Sequence, residues 1–483
     1  MAIPMIPQVN NVVINEKNLF VYDINNIVYI YNDTLEIEGY KIITTQENIT
    51  MEYRSDQGKF YGQKTLEQLL DIYPHEIPEM VIHDYPNYSY RGFMIDSCRH
   101  FFTIAEIKKQ IELMALLKMN VFHWHLTDDQ GWRIEIKKYP LLTSKGSIRK
   151  QTRNDNKEVS GYYTQTEIKE MITYCQKRYI NVIPEIDMPG HFTAACSCYP
   201  DLLCTNEEIA VAEHFGILPN IACAGREFTY QFCYDVLDEV CTLFPYHYIH
   251  IGGDEALKLN WLTCTDCQKK MKKENLTTSE ELETYFLNQM ARYLNAKGKK
   301  VICWNDGMVY KDTDSNIIMQ YWKDDKEHTA LAIDQVAKGR KAIVSPFQNY
   351  YLDYNYGITP LKTTYNYHHP FNNEGVIGVE APMWTEYVSA IDRLEYLVYP
   401  RLLAVAERGW TKIPNYPDFI KSLHVFQNRL HSMGINGAPL SAVNPFFLKR
   451  WLLRLSFYGS VVDKNIIKSF QLLYEYKKKK RLH

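Results

Sequence analysis

The sequence contains no long apolar run and no excess of either charge. No stretch approaches the ~18 uninterrupted apolar residues that a membrane-spanning helix requires. The formal net charge of the 483 residues is −3, and acidic and basic residues are interspersed over most of the length. We therefore expect neither a nucleic-acid nor a membrane partner, and a neutral substrate is compatible with this balance. The exception is the basic run YEYKKKKRLH at the end, which we interpret as a solvated, frayed tail.

The beginning of the sequence, MAIPMIPQVNNVV, lacks the positive segment and the continuous apolar segment of a secretory signal. Pro4 and Pro7 interrupt the few apolar residues that it has. The 11 cysteines, an odd number in a chain of this size, are typical of reduced thiols rather than of a disulfide framework. We therefore expect a cytoplasmic protein; the alternative is a secreted protein whose leader does not form part of this sequence.

Three patterns follow one another along the chain. Residues 1–88 contain short β-type runs, such as NIVYIYND, and the helical segment QKTLEQLLDIY, which together predict a small α+β domain. In residues 89–435, apolar β-type runs alternate with amphipathic helical segments. Residues 436–483 lie beyond this alternation and are predicted to form a helical extension that carries the basic tail.

Eight strand-and-helix repeats are predicted within residues 89–435. Thr103 with Glu106, and Thr164 with Glu167, have the spacing of a capping box at the start of a helix. Eight such repeats over about 320 residues predict a (β/α)8 or TIM barrel. A doubly wound sheet is the alternative, but no glycine-rich phosphate motif follows the first strand. The predicted strands are residues 90–96, 120–128, 180–187, 248–255, 300–306, 316–322, 342–353 and 375–384.

Polar and aromatic residues collect at the carboxyl ends of these strands, where a barrel of this type builds its active site. Tryptophans recur among the acids, although a solvent-exposed rim has no need of them. Flat apolar faces next to carboxylates suit a sugar ring, because its C–H faces stack on aromatic rings and its hydroxyls form hydrogen bonds. We therefore predict carbohydrate chemistry. These residues include Asp96, Arg99, Asp128, Asp129, Glu185, Asp187, His191, Asp254, Glu255, Trp304, Asn305, Asp306, Trp322, Tyr351, Asp353, Trp384 and Glu386.

The motif HIGGDEA places Asp254 and Glu255 side by side at the end of the fourth strand. Successive strand residues point to opposite faces, so both acids can face one pocket only where Gly252 and Gly253 let the backbone deform. Adjacent acids are poorly placed to flank a sugar carbon as acid and nucleophile. A substrate with a 2-acetamido group resolves this, since its own carbonyl oxygen can attack while one acid protonates the leaving group. The alternative is a separate carboxylate nucleophile, for which the candidates are Asp128, Asp353 and Glu386.

Several long motifs resemble those of a known enzyme family. RGFMIDSCRHF, NVFHWHLTDDQGWRIEI, VIPEIDMPGH, HIGGDEA, QYW and GVEAPMWTE are similar, in order and spacing, to motifs of the exo-acting β-N-acetylhexosaminidases of glycoside hydrolase family 20. The first domain is also similar to the one that precedes the barrel in that family, but it is shorter. The resemblance implies release of terminal β-linked N-acetylglucosamine or N-acetylgalactosamine with retention, through an oxazoline intermediate and without a cofactor.

The resemblance also implies a role for individual residues. Glu255 would be the general acid and then the general base, and Asp254 would orient and polarise the acetamido nitrogen. Tyr351 would donate a hydrogen bond to the acetamido carbonyl. Asp128 and His191 would form a dyad that tunes the protonation of Glu255. The pocket walls would be Trp304, Trp322 and Trp384, and the groups that bind ring hydroxyls would be Arg99, Asp353 and Glu386.

The sequence differs from the family pattern in the segment after the YLD motif. Many family members carry a further tryptophan after the YLD motif, where this chain reads TPLKTTYNYHHPF, and Tyr365 is the candidate to replace it. Asp129 and Arg133 are interpreted as structural ion-pair partners.

The alternatives to this enzyme are a related enzyme that releases a disaccharide or acts on a 6-phosphorylated sugar, and a catalytically silent sugar-binding barrel. The intact pair of Asp254 and Glu255 argues against silence.

Four cysteines could supply the thiolates of a structural zinc site. Cys264 and Cys267 lie in the motif CTDC, and Cys204 and Cys223 lie in the long loop before it. The spacing of the Cys204 and Cys223 pair is loose, so free or locally bridged thiols are favoured over zinc. Any such metal would hold loops together, and we predict no metal for the catalytic site.

The segment NPFFLKRWLLRLSFYGSVV in the C-terminal extension is aromatic and apolar. The simplest expectation is a helix that packs on the outside of the barrel. The alternative is a contact between two copies of the chain in a homodimer.

Overall fold

The computed structural model describes residues 3–23, 26–309, 312–462 and 464–480. The first unit is a five-stranded sheet with one helix on it. Its strands are β1 (Asn11–Val21), β2 (Ile27–Tyr31), β3 (Tyr40–Thr44), β4 (Ile49–Tyr53) and β5 (Glu76–Asp84), and its helix is α1 (Asp56–Ile72). The strand order is β1-β5-β3-β4-β2, in which β2 and β4 are parallel and the other pairs antiparallel. Ser55 begins α1 by accepting a hydrogen bond from the Gly58 backbone N–H.

Eight parallel strands then form a closed barrel. The strands from this point are β6 (Tyr90–Asp96), β7 (Val121–His125), β8 (Thr127–Asp128), β9 (Gly131–Trp132), β10 (Asn181–Glu185), β11 (Tyr248–His250), β12 (Lys300–Trp304), β13 (Ile318–Tyr321), β14 (Ala342–Val344) and β15 (Val376–Met383). β8 and β9 form a separate two-stranded hairpin, and the others pair in chain order until β15 closes on β6. The predicted (β/α)8 barrel after a small α+β domain is confirmed.

Helices cover the outside of the barrel. They are α2 (Ile104–Leu116), α3 (Leu141–Ser144), α4 (Gln165–Gln176), α5 (Thr193–Cys198), α6 (Glu227–Leu243), α7 (Thr265–Lys273), α8 (Ser279–Ala296), α9 (Lys326–Ala337), α10 (Phe347–Tyr350), α11 (Leu361–Tyr365), α12 (Ile391–Val398), α13 (Arg401–Trp410), α14 (Tyr416–Ser432), α15 (Leu440–Val443), α16 (Phe447–Val461) and α17 (Lys464–Lys480). Three short 3-10 turns cover residues 200–202, 305–308 and 373–375. Both predicted capping boxes form, at α2 and at α4.

The predicted strand over residues 342–353 is too long. β14 ends at Val344, and Pro346 then precedes the short helix α10. Pro346 is the N-cap residue of α10, and its carbonyl accepts a hydrogen bond from the Tyr350 N–H at 2.8 Å, so the chain turns into a helix here instead of extending the strand. Tyr351 and Asp353 therefore lie in the loop after α10, which still opens at the carboxyl end of the barrel.

A buried ion pair joins the first unit to the barrel. Lys118 Nζ lies 3.1 Å from Asp84 Oδ2, and both side chains are fully buried. Trp410 Nε1 donates to the same Asp84 oxygen at 2.9 Å, and its ring lies 4.4 Å from the Lys118 ammonium. Burial lowers the pKa of Lys118, while the charge of Asp84 opposes that change. The two units therefore share one desolvated charge cluster.

The two C-terminal helices contact different parts of the barrel domain: α16 contacts the loop after α10, and α17 contacts α8. Asn355 Nδ2 donates to the Leu453 carbonyl of α16 at 2.9 Å, and Tyr354 packs on Phe457 with ring centroids 5.3 Å apart. α16 thus contacts the loop that follows α10, and it leaves a largely apolar face exposed. Within the described residues, no helix combines the length and the apolar character needed to cross a membrane.

The expectation of a frayed tail is wrong for the residues up to 480. They continue as α17, because Tyr476 is buried and donates a hydrogen bond to Glu280 Oε1 of α8 at 2.7 Å. The lysines from residue 477 onward remain exposed, and residues 481–483 of the same run lie outside the described residues.

We expect Lys118→Met to lower the free energy of unfolding by ~3–5 kcal/mol, because it leaves the Asp84 carboxylate buried without its cation. Lys338→Met is the control, since Lys338 pairs with Asp334 on the exposed face of α9 and surface pairs contribute little. Urea unfolding of both variants is the measurement. Equal midpoints for the two variants would contradict a structural role for the buried pair.

Candidate active site

The backbone after β11 leaves the strand conformation through left-handed residues. The φ angles of Gly252, Gly253 and Glu255 are +64°, +92° and +51°. A Cβ atom at Gly252 would lie 1.7 Å from Asp187 Oδ1, and this same oxygen accepts a hydrogen bond from the Gly253 N–H at 3.0 Å. Glycine is therefore required at position 252 for both its conformation and its neighbours. This turn is the deformation that the HIGGDEA motif predicted.

Because of the turn, Asp254 and Glu255 both approach His191. The His191 Nε2 atom lies 3.6 Å from Asp254 Oδ2 and 3.6 Å from Glu255 Oε2. On the other side of the ring, Nδ1 is 3.2 Å from Asp128 Oδ1. The structure therefore brings together the Asp128 and His191 pair and the two adjacent acids.

The charges in this group determine which members are ionised. Burial alone would lower the pKa of His191, but the carboxylates of Asp128 and Asp254 raise it well above its usual value. Burial would raise the pKa of Glu255, but the hydrogen bond and charge of His191 lower it. Burial also acts on Asp128, yet Arg99 and His191 lower its pKa well below the usual value. The surrounding acids thus favour the positively charged form of His191.

Asp254 differs from its neighbour in both charge and contacts. Burial raises the pKa of Asp254 to about 7, the charges of Asp306 and Glu255 add to this effect, and His191 opposes it. Its Oδ1 atom is buried, and no hydrogen-bond partner for it occurs among the described residues. A buried polar atom without a partner is costly, so this oxygen is suited to accept an N–H or O–H from a ligand.

Aromatic side chains enclose the space beside Asp254. Trp304, Trp384, Tyr351 and Met94 form one buried cluster, and Trp322 packs against it. The ring centroids of Trp322 and Tyr351 are 6.0 Å apart in a stacked arrangement, and those of Trp304 and Trp384 are 5.8 Å apart. All three tryptophans that the resemblance implied as walls therefore line one pocket with Tyr351.

The polar side of the pocket contains Arg99, Asp353 and Glu386. Arg99 Nη2 lies 2.9 Å from Asp128 Oδ2, and its guanidinium lies 5.0 Å from the Trp384 ring centroid. Burial, together with the charge of Glu386, raises the pKa of Asp353, and burial also raises that of Glu386. Asp353 Oδ1 and Trp384 Nε1 are buried atoms that have no partner within the described part of the chain. They provide an acceptor and a donor for sugar hydroxyls.

A charged network inside the barrel connects Trp304, one of the pocket walls, to the pair of Asp128 and His191. Trp304 Nε1 donates to Glu185 Oε1 at 2.7 Å, and the other Glu185 oxygen hydrogen-bonds with His125 Nδ1. His125 Nε2 then lies 2.8 Å from Asp128 Oδ2. The network fixes the orientation of both Trp304 and Asp128.

His125 was missed as a site residue by sequence reasoning, and Glu185 was noted only as a polar strand end. The signal was present in the run VFHWH, because His123 and His125 alternate along β7 and so face the barrel interior together. His123 Nδ1 lies 2.8 Å from Glu380 Oε1 on β15, which extends the network across the barrel.

Two sequence interpretations in this region are wrong. Tyr365 does not form a fourth wall, because α11 turns it toward the outer helices, where its hydroxyl donates to Glu407 at 2.6 Å. Tyr354 packs against the aromatic cluster instead. For the second interpretation, the two residues do not pair with each other: Asp129 accepts hydrogen bonds from Thr193, and its Oδ2 lies 3.4 Å from His191 Nδ1, so its ion-pair partner is His191. Arg133 donates to the backbone carbonyls of Ser97, Cys98, Ser147 and Gly161.

Two protein-family models match the chain. The model described as "Glycosyl hydrolase family 20, catalytic domain" matches residues 88–413. The model described as "Glycosyl hydrolase family 20, domain 2" matches residues 6–85. Together the two matched ranges include the five-stranded unit and all eight strands of the barrel.

Curated relatives and solved structures point the same way. A beta-hexosaminidase of Porphyromonas gingivalis is 38% identical over 85% of this chain, which spans 56% of that relative's length. A beta-hexosaminidase of Vibrio furnissii is 34% identical, over 80% of this chain and 68% of its own. An exo β-N-acetylglucosaminidase from Vibrio harveyi, in complex with N-acetylglucosamine, has a TM-score of 0.82 at 28% identity, over 90% of this chain and 78% of that one. A β-N-acetylhexosaminidase from Bacteroides fragilis has a TM-score of 0.79 at 32% identity, over 90% and 97%.

We expect Asp254 to titrate near pH 7, because its pKa is raised to about 7 mainly by burial. His191→Gln removes a positive charge that lowers this pKa, so the titration should move to higher pH in that variant. Carboxyl-¹³C NMR of the wild type and of His191→Gln measures it, and Asp254→Asn identifies the signal by removing it. A wild-type midpoint near the ordinary aspartate value of ~3.9, or a downward move in His191→Gln, would contradict the electrostatics described above.

Proposed function

This chain belongs to glycosyl hydrolase family 20, and we propose that it is an exo-acting β-N-acetylhexosaminidase. Its substrate would be a glycan or chito-oligosaccharide that ends in β-linked N-acetylglucosamine or N-acetylgalactosamine. One observation carries the proposal: two adjacent carboxylates enter a single aromatic pocket, and the described residues provide no hydrogen-bond donor for the buried Asp254 Oδ1. An acetamido N–H is a donor that this oxygen lacks.

In the proposed first step, the acetamido carbonyl oxygen of the substrate attacks the anomeric carbon. The bond between this carbon and the leaving oxygen breaks, and Glu255 transfers its proton to that oxygen. Asp254 accepts the acetamido N–H, and the Tyr351 hydroxyl donates to the carbonyl oxygen, so both hold the nucleophile in position. The product of this step is an oxazolinium ion and a free aglycone. Water then attacks the same carbon from the side that the aglycone left, and Glu255 takes its proton. The bond between this carbon and the acetamido oxygen breaks, which restores the N-acetyl group and retains the β configuration.

Glu255 must acquire its proton although His191 lowers its pKa in the unliganded site. The Glu255 side chain retains 28% of its exposure, which a bound sugar would remove. Further desolvation raises a carboxyl pKa, so substrate binding would move Glu255 toward the protonated form. His191, held by Asp128, would then stabilise the carboxylate that remains after proton transfer.

The contacts of the other acids disfavour a separate carboxylate nucleophile. Asp128 has both oxygens engaged, Oδ1 with His191 and Oδ2 with His125 and Arg99. The raised pKa values of Asp353 and Glu386 weaken them as nucleophiles. These two acids are instead suited to hydrogen-bond the ring hydroxyls.

The same groups argue against a 6-phosphorylated sugar as the substrate. Of the basic side chains near the pocket, Arg99 is paired with Asp128, and Lys323 Nζ lies 3.6 Å from Asp306 Oδ2. A phosphoryl group would meet the carboxyls of Asp353 and Glu386 rather than unpaired cations.

We expect Glu255→Gln to lower hydrolysis of a natural disaccharide by at least ~100-fold, which is the scale of lost general acid catalysis. An aryl N-acetylglucosaminide with a good leaving group should be affected much less in its first step, since that bond breaks without protonation. Steady-state kinetics on both substrates is the measurement. The control is Glu170→Gln, on the exposed face of α4, which should behave as wild type. Near-normal turnover of the disaccharide by folded Glu255→Gln would contradict the role of Glu255 as general acid. A wild-type protein that hydrolyses no N-acetylhexosaminide would favour a catalytically silent sugar-binding barrel.

The assembly and location of the protein are also proposals. None of the 11 cysteines, all of which lie within the described residues, forms a disulfide, and this supports a reducing compartment such as the cytoplasm. A homodimer contact is proposed at α16, where Phe447 and Trp451 are 86% and 52% exposed. Sedimentation velocity of the wild type and of Trp451→Glu tests it: a monomeric wild type rejects the contact.

A further inference from the structure

Four cysteines that are distant in sequence converge beside the barrel, outside the sugar pocket. Cys223 Sγ lies 3.7 Å from Cys264 Sγ and 3.6 Å from Cys267 Sγ, and Cys204 Sγ lies 3.8 Å from Cys267 Sγ. All four sulfurs are within 4.8 Å of one another. Three of the side chains are buried, and Cys204 is partly buried.

These separations agree with a tetrahedral metal site and disagree with disulfides. Four sulfurs that each lie 2.3 Å from a central zinc are ~3.8 Å apart in a tetrahedron, whereas a disulfide requires ~2.05 Å. Cys223 is nearly equidistant from Cys264 and Cys267. The arrangement therefore does not divide into two bonded pairs, and each sulfur faces a common centre.

The backbone around the sulfurs is packed closely enough to hold such a centre. A Cβ atom at Gly225 would lie 2.2 Å from the backbone carbonyl carbon of Asp266, so the segment after Cys223 touches the segment that carries Cys264 and Cys267. Trp261 Nε1 also donates to the Ala222 carbonyl at 3.0 Å. Glycine is required at position 225 because no side chain fits between the two segments.

The charge environment suits a group with excess negative charge. Four thiolates around a divalent ion carry a net charge of −2. Arg226 lies at the cluster, where its Nη2 donates to the Cys204 carbonyl at 3.3 Å and its Nη1 donates to the Leu203 carbonyl at 2.7 Å. Cys264 is the N-cap residue of α7, so its sulfur also lies at the positive end of a helix dipole.

We propose that Cys204, Cys223, Cys264 and Cys267 bind one zinc ion in a structural site. Thiolate ligands are soft and favour zinc, and four protein ligands leave no open position for a substrate. Binding would release the thiol protons to solvent and form four Zn–S bonds without any change of oxidation state. The loose sequence spacing of Cys204 and Cys223 is compatible with the site, because the fold and not the spacing brings them together.

The site would connect the two loops that carry the proposed catalytic groups. His191 lies on the connection after β10, and this connection continues through Cys204 to Cys223, where the Ala222 N–H donates to the Pro189 carbonyl at 2.9 Å. Asp254 and Glu255 lie on the segment that leads from β11 to Cys264. Zinc would thus fix the two connections to each other, at a distance from the sugar. The effect of zinc on the catalytic groups rests on the proposed function, whereas the zinc site itself does not.

The test is the metal content of the full-length wild type, measured by inductively coupled plasma mass spectrometry after dialysis against a weak chelator. We expect one zinc per chain. Cys264→Ser/Cys267→Ser should lose it, and the control Cys241→Ser, a cysteine of α6 outside the cluster, should retain it. Zinc retained by the double variant would place the metal elsewhere and overturn the proposal.

A second measurement on the wild type keeps the proposal testable if the double variant does not fold. Titration of the native protein with a mercurial reagent should release one zinc per chain, which a chromogenic chelator detects. Metal-free protein with reactive thiols in the cluster, two disulfides found by mass spectrometry, or iron in place of zinc would each overturn the assignment. Because these readouts do not use hydrolysis, failure of the zinc site and failure of the proposed function are distinguishable.

Discussion

Two neighbouring carboxylates can enter one pocket only if the chain between them and the preceding strand abandons the extended conformation. In this barrel the requirement is met by left-handed backbone at Gly252, Gly253 and Glu255. Asp187 fills the space that a side chain at position 252 would need and accepts the Gly253 N–H. The turn gives the acids unequal surroundings: Asp254 is buried, and its Oδ1 has no partner among the residues that the structure describes, whereas Glu255 remains partly open to solvent. Separate chemical roles for the two acids follow from that inequality.

Ionised groups inside the barrel support the pocket, in addition to a buried apolar cluster that includes Val121, Ile183 and Ile302. Carboxylates and imidazoles alternate from Glu185 through His125 and Asp128 to His191, and each has a partner of opposite charge. Replacing buried ion pairs by apolar side chains is often neutral or stabilising, but removing one partner is strongly destabilising. We interpret the network as a device that fixes orientation and charge at the site. The network connects Trp304 to the pair of Asp128 and His191, so the positions of Trp304 and His191 depend on each other.

Local patterns in the sequence were sufficient to predict the barrel and to place polar and aromatic residues at its carboxyl end, whereas the roles of individual pocket residues were implied by the family resemblance. Eight apolar runs with polar ends predict strands whose carboxyl ends meet at one end of the barrel. Gly252 and Gly253 predict the turn before Asp254. The errors have long-range causes. Tyr365 is turned away by the packing of α11 on Glu407 of α13. The four cysteines of the proposed zinc site are brought together by two long loops, which their spacing in the sequence does not predict. The interior histidines carried a usable signal in their alternation along β7, but their partners come from other strands.

The central claim is that the acetamido oxygen of the substrate, and not a protein carboxylate, attacks the sugar carbon. The most direct measurement is kcat/KM for aryl glycosides whose N-acetyl group carries none, one, two or three fluorines. Fluorine withdraws electron density from the carbonyl oxygen, so the rate should fall progressively along the series, with the loss in kcat rather than in KM. A rate that is independent of fluorination, together with a sugar ester found on Asp128, Asp353 or Glu386 by mass spectrometry, would contradict the claim.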